Sequence, residues 1–191
     1  MNTTLPVDVN FDDVTLNIRN KGDFRVALDV IVALNDPNLS DVERAIASLF
    51  IFYDNIASSP EEIDLRAPYI QDALNFMCLF IAGGKEDNKK TSPKLMDWEQ
   101  DFDLIVPPIN TILGRDVRGM EYLHWWTFLS AFMSIRESTF AEVIAIRRKK
   151  IKGAKLTTEE RAFARENAEL IQLETKATAE EEEEIRAIMG W

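Results

Sequence analysis

The sequence holds a single cysteine and a single histidine in 191 residues. The lone thiol, Cys78, cannot form an internal disulfide, which fits a reducing, intracellular compartment. It lies in the apolar run NFMCLFIA, where a packed small hydrophobe is the default role and a nucleophile would need a base. His124 has no second histidine and no cysteine beside it to complete a transition-metal site. There is no Gly-rich phosphate loop and no Ser/His/Asp arrangement, so no cofactor or metal is expected and nothing indicates an enzyme. The opening MNTTLPVDVNF lacks the basic start and apolar core of a secretory signal. The longest apolar run, LHWWTFLSAFMSI, is short of the ~20 residues a bilayer requires, and Glu121 and Arg136 bound it. A soluble, cytoplasmic protein without membrane contact is the expectation.

Charge is plentiful and unevenly placed. Residues 1–114 carry 9 Lys/Arg and 19 Asp/Glu, net −10; residues 115–155 carry 9 and 4, net +5; residues 156–191 carry 4 and 10, net −6. An acidic chain of net charge −11 repels nucleic acid at long range. The basic middle block is placed to meet acidic surfaces instead.

Periodicity predicts a mostly α fold. In VDVNFDDVTLNI, Val7, Val9 and Phe11 alternate with polar residues, as do Val14, Leu16 and Ile18, around Asp12-Asp13. That is a short hairpin over about residues 6–19, and it must lie on an apolar surface to persist. Asp23 can cap a helix whose apolar face is Phe24, Ala27, Leu28, Ile31 and Leu34. Ser40-x-x-Glu43 is a capping box before a helix reaching about Tyr53, and Ser59-Pro60-Glu61-Glu62 reads as another start. Pro68 splits that region into a short and a longer helix, the latter stopping at Gly83-Gly84. KEDNKKTSP (85–93) is a polar loop. A fourth helix should begin near Leu95 or Asp97, hold Trp98, Phe102, Ile105 and Ile109, and be kinked or broken by Pro107-Pro108 before Gly114 closes it. Thr139-x-x-Glu142 starts another helix that Gly153 ends. Thr157-x-x-Glu160 and Thr178-x-x-Glu181 start two more. The expectation is a single-domain bundle of about seven or eight helices over residues 1–175, with an acidic helix over 176–191 as an appendage.

The stretch MEYLHWWTFLSAFMSI (120–135) is the fifth long helix. At ~100° per residue, Tyr122, Trp125, Trp126, Leu129, Phe132 and Met133 share an arc of ~120°. Thr127, Ser130 and Ser134 lie opposite, and His124 sits at the border. Both tryptophans are expected to face the core, together with Trp98 and Phe102.

Two further clusters invite a binding role. Arg147, Arg148, Lys149, Lys150, Lys152 and Lys155 gather at a helix end, where the macrodipole favours cations. They can also form a docking patch for an acidic partner or another copy of the chain. Nucleic acid is the weaker reading, because no aromatic residues interleave with the cluster. Glu180–Glu184 precede Ile185, Ile188, Met189 and Trp191, so that this stretch is either a solvated last helix folding back or a short recognition element. Asp101 and Asp103 read as a helix's solvated face.

Taken in order, "DFR" (23–25), "DWEQDFDLI" (97–105), "YLHWWTFLSAF" (122–132), "IRRKKIKGAKL" (146–156) and "EERAFARENAELI" (159–171) resemble the phage gene-product-fifteen family. That family is encoded in the tail-morphogenesis region of tailed phages and prophages of Gram-positive bacteria. The resemblance covers about residues 6–173, and its most specific element is the Leu-His-Trp-Trp run. Membership implies a non-enzymatic, helical tail assembly chaperone in the host cytoplasm. Such a protein would self-associate and bind the tape-measure protein and other tail proteins. The alternatives are a structural virion protein of the tail or neck, such as a connector or terminator, and a nucleic-acid-binding regulator using residues 147–155.

Overall fold

The computed structural model describes residues 4–85 and 93–174. Contacts group them into two compact units with the same two boundaries, and each is described separately. The fold is mostly α, with eight α-helices and one two-stranded hairpin among the described residues.

In the first unit, β1 (Asp8–Phe11) pairs antiparallel with β2 (Val14–Asn17), Val9 opposite Leu16 and Phe11 opposite Val14. Asp12 adopts the positive φ, 48°, that such a tight turn requires. The inward side chains set the hairpin on helices, as its marginal intrinsic stability demands. The Phe11 ring meets Phe76 edge-on at 6.5 Å, and Leu16 is buried. Ile18 bridges to Tyr53. Asn55 accepts from the Asn17 amide at 2.8 Å and donates to the Thr15 carbonyl at 2.9 Å.

Three helices complete this unit: α1 (Phe24–Leu34), α2 (Asp41–Phe52) and α3 (Ile70–Ile81). Asp23 caps α1 by accepting from the Arg25 amide, and Ser40 with Glu43 forms the expected capping box of α2. The far end of α2 is closed from outside, because Arg19 donates to the carbonyls of Phe50, Ile51 and Tyr53 at 2.8–3.0 Å. Helix α3 ends in a Schellman motif: the Gly84 amide donates to the Leu79 carbonyl and the Gly83 amide to that of Phe80. Both glycines hold positive φ. Phe24, Val30, Leu49, Phe52, Tyr53, Met77 and Phe80 form the core.

Three expectations change here. The buried stripe of α1 is Phe24, Val26, Ala27, Val30 and Ala33, while Leu28, Ile31 and Leu34 are only half-buried. Choosing the largest side chains had placed the face about one residue too far round. Residues Pro60–Glu62 form one 3₁₀ turn, and Ser59 makes no side-chain cap to it. Cys78 is exposed, on the side of α3 opposite Met77 and Phe80, so it is not a packed hydrophobe.

The second unit holds α4 (Phe102–Leu113), α5 (Trp125–Met133), α6 (Thr139–Ile151), α7 (Thr158–Glu166) and α8 (Ala168–Ile171). Helix α4 begins later than the apolar spacing predicts. The Asp97 carboxylate accepts from the amides of Glu99 and Gln100 and folds that stretch into a turn. The two prolines do not break α4. Each fits the helical φ, and the loss falls on the carbonyls of Asp103 and Leu104, whose donors four residues on are missing. Pro107 itself is exposed. Gly114, with φ of 69°, ends the helix.

Helix α5 is shorter than the expected 120–135. His124 is its N-cap, Nδ1 accepting from the Trp126 amide at 3.0 Å. Starting at Trp125 changes which ring faces in. Trp125, Phe128 and Ala131 are buried, Trp126, Leu129 and Phe132 are half-buried, and Tyr122 and Met133 are exposed. The expected arc was therefore turned too far towards Trp126. Helix α6 is capped by Ser138, one residue before the expected Thr139. The capping box of Thr157 and Glu160 on α7 stands as read. A break at Asn167 separates α8, which the sequence reading did not contain.

Trp98, half-buried, packs its ring on Trp125 at 5.6 Å and on Phe132 at 4.8 Å. Val143, Ile146 and Ile171 form a second apolar cluster with Leu104, Leu156, Phe163 and Leu170 around it. Phe102 is half-buried. The polar loop of residues 86–92, the helix expected from Thr178, and Ile188 and Trp191 lie outside the described residues.

Candidate interaction surface

The basic run at the end of α6 separates into three kinds of residue. Arg147 belongs to the interior, 3% exposed, and is not part of a docking patch. Its guanidinium spends five donors on five acceptors. Nη1 and Nη2 reach the two carboxylate oxygens of Asp101 at 2.7 and 2.9 Å. The carbonyls of Leu95 (3.1 Å), Leu170 (2.6 Å) and Ile171 (3.2 Å) take the rest. Asp101 is buried too and also accepts from the Asp97 amide at 2.9 Å, so the expectation of a solvated carboxylate fails. Only this satisfaction of both groups makes burying two charges tolerable.

The same residue closes the end of α8. Arg147 holds the carbonyls of residues 170 and 171. The Gln100 side chain donates to the Gln172 carbonyl at 2.6 Å and accepts from the Glu174 amide at 3.0 Å. The end of α8 and residues 172–174 after it are thus tied by two side chains from elsewhere in the unit.

Lys149 is the second kind. Its ammonium lies 2.6 and 2.8 Å from the carboxylate oxygens of Glu160 on α7. The Lys149 hydrogen bond, with a further one from the Thr157 amide, holds the Glu160 carboxyl below its ordinary range.

Arg148, Lys150, Lys152 and Lys155 form the third kind. All four are exposed, and none makes an ion pair among the described residues. The helix ends among them in a second Schellman motif, the Ala154 amide donating to the Lys149 carbonyl and that of Gly153 to Lys150. Cations in the last turn suit the negative end of the helix dipole. These charges, with Ile151 among them at 50% exposure, give the edge a mixed apolar and cationic character.

A cleft of ≈ 490 Å³ opens elsewhere in this unit, lined by Leu104, Pro107, Pro108, Ile112, Ile135 and Ser138 among others. The chain beside the missing proline donors, Asp103 and Leu104, lies on its wall. No such cleft follows from the sequence, because residues thirty apart make it.

His124 offers little chemistry. It is buried, Nδ1 is occupied as an acceptor, and its ring stands edge-on to Trp126 at 5.9 Å. Among the described residues no group of three or more His, Cys, Asp or Glu is placed to hold a metal ion, and no helix is long and apolar enough to cross a membrane.

The inward place of Arg147 had a signal in the sequence. Phe140, Val143 and Arg147 follow the i, i+3, i+7 spacing of one helix face, which puts the arginine on an apolar stripe. Its partner Asp101 and the staple Gln100 carried none.

The unit is thus a mostly helical scaffold with a satisfied internal ion pair and a cationic edge that meets no carboxylate among the described residues. The family described as Bacteriophage Gp15 protein matches residues 1–173, and the chain belongs to that family. It is thus a bacteriophage protein, of a family that suggests a structural or morphogenetic part in the particle's making. No curated protein and no solved structure matches the chain.

Proposed function

We propose that the protein is a non-catalytic tail assembly chaperone that binds the phage tape-measure protein and associates with copies of itself in the host cytoplasm. The family match over residues 1–173 carries this reading. The edge of Arg148, Lys150, Lys152 and Lys155 supports it, since exposed cations beside an apolar side chain suit reversible, salt-sensitive docking on acidic partners. The net charge of −11 argues for protein partners over nucleic acid.

Co-expression with the tape-measure protein of the same gene cluster tests the reading. A complex that purifies at low salt and weakens as salt rises is expected, together with absence of the chain from purified virions by mass spectrometry. Presence in stoichiometric amount in the virion would instead make it a structural component of the tail or neck.

A further inference from the structure

We infer that the cationic edge of α6 docks the acidic stretch Glu180–Glu184 of a second copy of this chain, with Ile185 and Ile188 following onto Ile151. The inference deepens the self-association part of the proposed function and rests on it. Three observations carry it.

Charge is the first. Arg148, Lys150, Lys152 and Lys155 are four exposed cations with no carboxylate against them among the described residues, and Glu180–Glu184 are five consecutive carboxylates in the same sequence. The second is the order of charge and grease. On the edge, Ile151 is half exposed between cations; in the acidic stretch, apolar Ile185 and Ile188 come directly after the glutamates. A carboxylate run followed by apolar side chains is the chemistry that would cover such an edge. Lys149, beside them, already takes a carboxylate from Glu160 at 2.6 Å, so the helix end receives glutamate in the way required.

The third observation concerns direction and favours a second copy. Residues 170–174 leave along the side of α6 that Arg147 faces, tied there by Arg147 and Gln100. Arg148 and Lys152 lie ~100° and ~140° round the helix from Arg147, turned away from that departing chain. An edge and an acidic stretch that differ from one another either meet once per pair, closing into rings or running on as an open array, or are exchanged twice across a two-fold axis to give a dimer.

Two full-length variants test this. One carries Arg148→Glu, Lys150→Glu, Lys152→Glu and Lys155→Glu; the other carries Glu180→Lys through Glu184→Lys. All nine changes are charge reversals, the four at the end of α6 and just past it at exposed positions, and circular dichroism checks that each variant keeps its helix content. By light scattering after size exclusion at low salt, the wild type should be larger than one chain and should fall to one chain at high salt. Each variant alone should be a single chain. Their equimolar mixture should associate again, because every edge then meets a stretch of opposite sign on the other chain. A wild type that stays a single chain at low salt and every concentration would overturn the inference, as would a mixture that stays dissociated. Neither result bears on co-purification with the tape-measure protein, so the two readings fail separately.

Discussion

Arg147 and Asp101 face each other across 46 positions of sequence through two parallel hydrogen bonds of 2.7 and 2.9 Å, both side chains almost wholly buried. Asp101 stands at the entry of α4, Arg147 lies in the last half of α6, and the same guanidinium reaches the last carbonyls of α8. One side chain therefore joins three segments that the sequence keeps apart.

Removing one partner strands a buried charge. Arg147→Ala and Asp101→Ala should each lower the unfolding free energy by ~3–5 kcal/mol, and Arg147→Lys should rescue little because an ammonium cannot fill the fork. The double change Arg147→Met with Asp101→Leu should cost less than either alanine variant. Urea melts of the four proteins give the comparison; additive losses in the double variant would contradict the pairing.

Pro107 and Pro108 sit inside an intact helix that lacks two of its own hydrogen bonds. Pro107→Ala, at the exposed position, restores a donor to the Asp103 carbonyl and should raise stability by ~1 kcal/mol or more. Thermal melts decide it, and an unchanged midpoint would mean the helix is held entirely by packing.

The two capping boxes should behave alike. Ser40→Ala and Thr157→Ala should each cost ~1 kcal/mol. Hydrogen bonds from Ser40 hold Glu43 below the ordinary glutamate range, and the Lys149 ammonium with the Thr157 amide does the same for Glu160. A lowered folded value means the stabilisation is full above the ordinary range and is lost as pH falls from there through the lowered value. Melts from pH 7 down to 3 should show that loss, and Glu43→Gln with Glu160→Gln should make it shallower.

Tyr53 gives the opposite sign. Its hydroxyl donates to the Ala73 carbonyl at 2.9 Å inside the first unit's core, and burial raises its ionisation well above the ordinary phenol value. A raised folded value means full stability below the ordinary value of 10.0 and a decline as pH climbs beyond it. Ultraviolet titration should show Tyr53 ionising only as the chain unfolds. Tyr53→Phe should flatten the alkaline decline of the melting midpoint; an identical decline would assign it elsewhere.

Where reading the sequence succeeded, the information was local. The capping boxes at Ser40 and Thr157, the Asp12 turn, and the glycine stops at Gly83 and Gly114 each concern a few neighbouring residues and their own backbone. Where it fell short, a distant segment chose the outcome. Trp125 rather than both tryptophans went to the core because His124 closed the helix and Trp98, from a turn well upstream, covered one ring. Asp101 looks alike in sequence to the exposed Asp103 beside it, and the stripe that sets Arg147 apart from Arg148 names no partner for it.

The helical class, the capping boxes, the glycine stops, the hairpin and the family signature were thus written in short-range pattern, because capping, turn conformation and period depend on adjacent residues alone. Which charges were withdrawn and which were left outside was decided only in three dimensions. A buried ion is tolerated where several separate segments bring it acceptors at once, and no stretch of chain can supply that by itself.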